Sequence, residues 1–238
     1  FDMNGINEAM IFAAGFGKRM LPYTKNTPKP LLEIKGKSII HHQIDALLKL
    51  NFKNIVVNVH HLSSKLEAEL ECYKPIVKVI FEEKILETGG GFLNALKQGF
   101  FQDEELPKVV INGDVFWQNS KSCPIDEIIK NWESRMDILL ALKRRDLVLG
   151  YEGKGDFRLK TKKKVSNLLR NSDYNEYMFT GLQILNPKII QDGRKTKFSL
   201  REIYFKLISK KTIYGFVDEN DWYHISKVND YKRVNKIL

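Results

Sequence analysis

The apolar run Ala9-Met10-Ile11-Phe12-Ala13-Ala14 closes on Gly15, and Gly17 follows two residues later. A short apolar run bounded by glycine reads as a buried strand. The glycines permit a sharp turn and bring backbone N–H groups close to an anion. Lys18, Arg19, Lys25 and Lys29 lie on or just beyond this turn. Donors and cations gathered on one loop suit a polyphosphate. Two familiar phosphate loops are excluded. Met20 stands where a dinucleotide fingerprint needs its third glycine, and Gly17-Lys18 is followed by Arg19 rather than by the Ser or Thr of a Walker A loop. Pro22, Pro28 and Pro30 disfavour a helix here and predict a long, extended loop. Flanked by two prolines, Lys29 is expected to be held in place.

Downstream the pattern alternates. Ser38 caps a predicted helix to about Leu50, with Ile40, Ile44, Leu47 and Leu48 on one face and Asn51 as C-terminal cap. Ile55–Val59 reads as a strand, Ser63–Cys72 as a polar helix and Ile76–Phe81 as a strand. Glu87-Thr88-Gly89-Gly90-Gly91 reads as a loop leading into a helix from Phe92 to about Gln98. Such alternation implies an α/β fold, a doubly wound, mostly parallel sheet covered by helices, and ligands bind at the strand ends of such sheets. Val109–Asn112 is a further strand, and Gly113 then permits a turn that presents Asp114 at the sheet edge, where a carboxylate facing a triphosphate suits Mg²⁺. Pro124 opens a helix with Ile125, Ile128, Ile129 and Trp132 as its core stripe, and Asp137–Leu142 is a strand. The stretch from Arg144 to Leu169 is basic and polar, with a strand-like piece at Phe157–Leu159. Phe179–Leu185 is a strand interrupted by Gly181, Ser199 and Glu202 form a capping box, Ile213–Val217 and Trp222–Ile225 are strand-like, and a short helix runs to Leu238.

The chain has 238 residues, 43% hydrophobic and 29% charged, which suits one α/β domain with a substantial core. Its net charge of +10 fits nucleic acid, an anionic membrane or small phosphorylated ligands as partners. The basic residues are dispersed in groups (Lys143-Arg144-Arg145, Lys160 with Lys162–Lys164, Arg194-Lys195-Lys197) without a zinc-finger or basic-helix pattern, so a solvated surface is expected and nucleic acid is not. Cys72 and Cys123 form no metal-spacing motif. No apolar run reaches membrane-spanning length and no signal peptide is visible, so a cytoplasmic protein without membrane partners is expected. Phe1-Asp2 before Met3 reads as a remnant or a processed end.

Gly15-Phe-Gly-Lys-Arg-Met-Leu-Pro-Tyr-Thr24, then Pro28-Lys29-Pro30-Leu31, resembles the signature of the sugar-phosphate nucleotidyltransferases. These join a nucleoside triphosphate to a sugar 1-phosphate and release pyrophosphate. The resemblance implies one nucleotidyltransferase domain over residues 3–238, with a nucleotide-binding half to residue 120 and a sugar-phosphate-binding half from 121. It implies nucleotide contacts at Ala13, Ala14, Gly15, Gly17, Lys18, Gly89, Gly90 and Asn112. Arg19 would stabilise the leaving pyrophosphate, Lys29 would bridge the reacting phosphates, and Asp114 would hold Mg²⁺, or Mn²⁺. Asp156, Thr180 and Gly181 would lie beside the sugar. Glu87-Thr-Gly-Gly-Gly91 and Gly155-Asp-Phe-Arg-Leu159 look like the short bacterial members that act on N-acetylmuramate 1-phosphate with UTP.

One position departs from that pattern. The family carries Trp-x-Asp-Ile/Val-Gly-Thr near its C-terminus, with the aspartate as second metal ligand, whereas this chain has Trp222-Tyr-His-Ile-Ser-Lys227. His224 replaces a hard carboxylate with an imidazole. Three alternatives follow: Asp114, phosphate oxygens and water suffice for Mg²⁺; His224 ligates a softer ion such as Mn²⁺ or contacts phosphate; or nucleotide binds without turnover. Asp218 and Asp221 are nearby carboxylates that could substitute. Mannose 1-phosphate and phosphocholine are the alternative substrates within the enzyme class.

Overall fold

A computed structural model describes residues 5–149, 151–190 and 196–238. The terminal Phe1-Asp2 and, in the third basic group, Arg194 and Lys195 lie outside them. The strands are β1 (Glu8–Phe12), β2 (Glu33–Ile34), β3 (Lys37–Ser38), β4 (Asn54–Val59), β5 (Val77–Phe81), β6 (Lys108–Asn112), β7 (Phe116–Gln118), β8 (Ile138–Arg144), β9 (Arg158–Leu159), β10 (Val165–Leu169), β11 (Tyr177–Leu185), β12 (Ile213–Val217) and β13 (Asp221–Tyr223). The α-helices are α1 (Ile39–Lys49), α2 (Ser63–Leu70), α3 (Glu87–Lys97), α4 (Pro124–Lys130), α5 (Leu200–Lys210) and α6 (Val228–Ile237).

Nine strands form one sheet in the order β5-β4-β1-β6-β11-β8-β12-β10-β9. Strands β5, β4, β1 and β6 run parallel, β11 is antiparallel to β6 and β8, and β12 is parallel to β8. The sheet is thus mixed and mostly parallel, as the alternation predicts. Strand β1 lies between β4 and β6, which explains why it is apolar on both faces. Ala9 and Ile11 point to one core with α1, α2 and α4, while Met10 points to the other with α3 and α5. A third cluster joins Met20, Leu32, Ile34 and Ile39 to Phe116, Ile225 and Val234, tying the first loop to the C-terminal helix.

The predicted caps form. Ser38 Oγ accepts from the His41 N–H, Asn51 follows α1 at φ 61°, and Ser199 with Glu202 closes the capping box of α5.

Several elements differ from expectation. The region after Gly17 is not extended: it winds into three single-turn 3₁₀ helices, Lys18–Met20, Tyr23–Lys25 and Lys29–Leu31, because proline is excluded from long helices but is compatible with one turn. The first strand ends at Phe12 rather than Ala14. The polar stretch before Leu169 contains β10, and β2, β3 and β7 are short strands that carry too few residues for a periodic signal.

Helix α3 begins at Glu87, so Gly89, Gly90 and Gly91 lie inside it and are buried. They permit close packing rather than flexibility. A Cβ at Gly90 would sit 2.3 Å from the Thr196 carbonyl oxygen, and one at Gly91 would sit 2.8 Å from both Asn58 and Glu82. Alanine normally strengthens a helix by about 1 kcal/mol over glycine, but overpacking against fixed backbone costs about 1–3 kcal/mol. Gly90→Ala is therefore expected to lower unfolding stability, by up to about 2 kcal/mol, in urea titration.

Candidate active site

The C-terminal ends of β1, β4 and β6 open onto a cavity of about 450 Å³. Its walls are the turn from Phe12 to Met20, the Lys29-Pro30 step, Asn58, Glu82, the start of α3, the Asn112–Asp114 turn and Ser226. Gly15 has open space around its Cα, and Gly17 takes a left-handed conformation, φ 62°, with its carbonyl accepting from Thr24 Oγ1 at 2.8 Å.

Lys29 and Asp114, 85 residues apart, meet here: Lys29 Nζ donates to Asp114 Oδ2 at 2.8 Å. The Lys29 side chain is 9% exposed and that of Asp114 43%. The fixed lysine expected from its flanking prolines is therefore found. Asp114 is aimed by its turn. The Gly113 N–H donates to the Phe12 carbonyl at 2.8 Å, and a Cβ at Gly113 would lie 2.6 Å from that oxygen, so only glycine fits. Gln43 Nε2 donates to the carbonyls of Asn112 and Val115, at 3.0 and 2.9 Å, on either side of Asp114. Arg19 is exposed on the cavity wall beside Lys18. Lys25 lies on an exposed turn and is not part of the wall.

His224 follows β13 and is half-buried, its ring edge-on to Tyr151 at 5.3 Å. Burial holds its imidazole below the ordinary value; Lys29 and Arg19 act in the same direction, and Asp230 and Asp114 oppose them. His224 thus shares the electrostatic surroundings of Arg19, Lys29 and Asp114, in its neutral form. Asp218 cannot substitute as a ligand. It is buried and accepts from Trp222 Nε1 at 2.6 Å and from Asn220, which in turn binds the backbone of Lys121 and Ser122. Asp221 is exposed in β13, paired with Gln118. Among the described residues no group of three His, Cys, Asp or Glu side chains could hold a metal. One carboxylate and one neutral imidazole fit a divalent ion only if substrate oxygens and water complete its shell, which is how Mg²⁺ is commonly held.

The other expected site residues divide. Ala13, Ala14, Gly15, Gly17, Lys18 and Asn112 all line the cavity. The Ala13 N–H is already engaged, donating to Asn58 Oδ1 at 2.9 Å. Gly89 and Gly90 face away from it, both donating their N–H groups to the Phe198 carbonyl. Asp156 lines a smaller cavity of about 170 Å³ that shares Thr88 and Asn112 with the first. One Asp156 oxygen also accepts from the Phe179 N–H at 2.9 Å. Thr180 is buried in the sheet, its hydroxyl donating to the Ala141 carbonyl. Gly181, at φ 91°, lets β11 pass against Asn112 and Val115.

Two wall residues carry no motif. Glu82 is 2% exposed, and its carboxylate accepts from Asn58 Nδ2 at 2.8 Å and the Leu86 N–H at 3.1 Å. Asn58 thereby clamps the end of β1 to the entry of α3. Its signal is a polar residue within the β-branched strand Ile-Val-Val-Asn-Val. Ser226, from the C-terminal motif, is held at the wall by Asp230, which accepts from its N–H and hydroxyl. Asn58→Ala leaves the Ala13 N–H without its acceptor and Glu82 without one donor. It is expected to cost about 1–3 kcal/mol in chemical unfolding and to weaken nucleotide binding measured by calorimetry.

Comparison with known proteins gives this geometry its context. The nucleotidyl transferase family model matches residues 8–238. N-acetylmuramate alpha-1-phosphate uridylyltransferase of Caulobacter vibrioides is 33% identical over 91% of this chain and 90% of its own length. A mannose-1-phosphate guanylyltransferase catalytic subunit beta of Danio rerio is 25% identical over 94% of this chain, which spans 62% of that longer protein. Among solved structures, UDP-glucose pyrophosphorylase bound to UDP-glucose superposes with a TM-score of 0.78 at 16% identity, covering 98% of both chains. CTP:phosphocholine cytidylyltransferase of Streptococcus pneumoniae gives 0.74 at 19% identity, over 98% of this chain and all of the other. At such identities the structures establish the fold, a single-domain nucleotidyltransferase sheet. The family match and the Caulobacter relative establish that this chain belongs to the nucleotidyl transferase family, among its sugar-1-phosphate nucleotidyltransferases.

Proposed function

We propose that the protein transfers the nucleotidyl group of UTP to N-acetylmuramate 1-phosphate, giving the UDP-sugar and pyrophosphate. The observation that carries the transfer is the convergence of Arg19, Lys29 and Asp114 on one cavity together with the glycine turn. An oxygen of the sugar phosphate bonds to the α-phosphorus while the bond to the bridging oxygen of pyrophosphate breaks, and that electron pair leaves with pyrophosphate. A phosphate monoester is largely dianionic near neutral pH, so no protein base takes a proton. The residues act by position and charge. The backbone at Gly15 and Gly17 cradles phosphates, Lys29 spans the two reacting phosphates, and Arg19 offsets charge on the leaving group. Asp114, with His224 in its electrostatic surroundings though not on the cavity wall, would hold a divalent ion, Mg²⁺ or Mn²⁺, which when bound supplies charge stabilisation to the triphosphate.

The chain is divided functionally near residue 120 in this reading. Apart from Ser226, the wall of the larger cavity comes from Phe12 to Asp114. Apart from Thr88 and Asn112, that of the smaller comes from Asp156 to Phe205. The smaller cavity supports an acidic sugar. Arg170 and Arg201 both line it, and both stack on Phe205, with Cζ at 4.6 and 5.6 Å from the ring centre. Guanidinium groups are suited to a carboxylate, and N-acetylmuramate carries one that N-acetylglucosamine lacks. A role in cell-wall nucleotide-sugar supply, in the cytoplasm, follows from that substrate. No helix of the described residues is long and apolar enough to cross a membrane.

A second reading, nucleotide binding without turnover, rests on His224 at the position of the second metal ligand. One assay separates them: pyrophosphate release with Mg²⁺ and then Mn²⁺, for four nucleoside triphosphates against the 1-phosphates of muramate, N-acetylglucosamine and mannose, and against phosphocholine. Release is expected only with UTP and the muramate substrate, to fall at least about 10²-fold in Asp114→Ala, and to show a raised KM for the muramate substrate alone in Arg201→Ala. Release with mannose 1-phosphate or phosphocholine would replace the substrate assignment. Silence with retained UTP binding, restored by His224→Asp, would establish the second reading.

A further inference from the structure

The most buried polar side chain on the wall of the smaller cavity is that of Gln183, on strand β11, at 1% exposure. The reaction proposed above gives it no role. Its amide has one partner among the described residues, the Tyr204 hydroxyl, 2.8 Å from Oε1. That contact fixes which way the amide points. Burial pushes the Tyr204 phenol up, so it keeps its hydrogen, and that hydrogen needs an acceptor. The hydroxyl therefore donates to Oε1, since the reversed amide would leave a buried O–H unpaired. Phe157 and Phe179 pack edge-on against the Tyr204 ring, with centres 6.4 and 6.1 Å away, and hold it in place.

Gln183 Nε2, turned away from Tyr204, has no partner among the described residues. It is also not sealed in. The unpartnered side-chain polar atoms enclosed by protein, among the described residues, are on His41, Gln43, Asn54 and Thr212. The nitrogen is thus part of the small surface that Gln183 offers to the cavity, and its N–H groups are free for a ligand. Asp156 supplies the complementary group. One of its carboxylate oxygens accepts from the Phe179 N–H, and the other has no partner among the described residues. The remaining wall is largely apolar, from Phe157, Phe179, Leu200 and Tyr204. At about 170 Å³ the cavity is below the roughly 300–1,000 Å³ of a whole small-molecule site, so it takes substituents of a sugar rather than its entire body. One donor, one acceptor and apolar walls match a secondary amide that carries a methyl group. A hydroxyl in its place would meet the polar groups but leave the apolar walls uncovered.

We propose that Gln183 determines specificity for an N-acetylated sugar. Its Nε2 donates to the acetamido oxygen, the acetamido N–H donates to Asp156, and the methyl packs on the apolar wall. This rests on the reading above that the smaller cavity faces the sugar phosphate, but it does not need the sugar to be muramate. The carboxylate assigned to Arg170 and Arg201 is a separate substituent.

The test is calorimetry of four sugar 1-phosphates with protein saturated with α,β-methylene UTP, which cannot transfer its nucleotidyl group. The sugars are N-acetylmuramate, N-acetylglucosamine, glucose and 3-O-lactylglucose, which vary the acetamido and lactyl groups independently. Acetamido in place of hydroxyl is expected to tighten binding about tenfold or more in both pairs. Gln183→Met, similar in length but unable to donate, is expected to lose most of that gain and to keep the gain from the lactyl group. Gln183→Met/Tyr204→Phe removes both hydrogen-bonding partners and leaves no phenol unpaired, and the same loss is expected there. The proposal is overturned by equal affinity for acetamido and hydroxyl sugars in the native protein, by a gain retained in both variants, or by a drop common to all four sugars. Recovery of the gain in the double variant also overturns it, because the loss would then come from a misplaced Tyr204. A gain from acetamido but none from lactyl would replace muramate as the substrate and leave the role of Gln183 standing. A gain from lactyl alone would do the reverse, and binding of none of the four would overturn both.

Discussion

The contact between Lys29 and Asp114 is the constraint around which the site is built. It joins the first glycine loop to the end of β6 across 85 residues, and it sets one buried cation against one half-exposed carboxylate. As a source of stability such a pair is minor, because desolvating the lysine offsets much of the Coulomb attraction. As a positioning device it is substantial. Each partner is fixed from behind: Lys29 by Pro28 and Pro30, and Asp114 by the glycine at 113, which alone fits under Phe12, and by Gln43 across the turn. Removing Asp114 would leave a buried ammonium without its partner.

The sheet order explains why these groups converge. Strands β1, β4 and β6 run parallel and deliver their C-terminal ends to one edge, while β11 enters antiparallel beside β6. Asn112, at the end of β6, therefore borders both the larger cavity and the smaller one beyond it. Under the proposed function these two cavities would take the nucleotide and the second substrate, and a shared wall is what a direct transfer between two bound phosphates requires. The third apolar cluster packs Phe116 and Ile225 on Met20, so the C-terminal segment carrying His224 and Ser226 is fixed to the first loop. His224 thus enters the same electrostatic setting as Lys29 and Asp114 while burial keeps it neutral.

Much of this was legible in the sequence, and for physical reasons. The central parallel strands β1 and β4 carry apolar residues on both faces, and the helices α1, α4 and α5 announce themselves through Ser38, Pro124 and the Ser199–Glu202 box. The glycine turn, Lys29 and Asp114 stand out because their chemistry is local to a few residues. What was not legible depends on contacts between distant segments. The glycines at 89–91 look like a mobile loop by composition, yet they are a helix start pressed against Phe198, Thr196 and Glu82. Thr180 looks like a ligand contact, but its hydroxyl is used within the sheet. Asn58 and Glu82 carry no motif, and only their mutual hydrogen bond reveals that they close the cavity wall.

The central claim is that Lys29 and Asp114 belong to one site that takes a divalent ion together with a triphosphate. Its most direct test is electron paramagnetic resonance of Mn²⁺ added to the protein with and without UTP, in the native chain and in Asp114→Asn. A bound Mn²⁺ signal that needs both UTP and the Asp114 carboxylate is the predicted result. A signal of equal strength in Asp114→Asn would contradict the account, because the ion would then be held somewhere other than beside the Lys29–Asp114 pair.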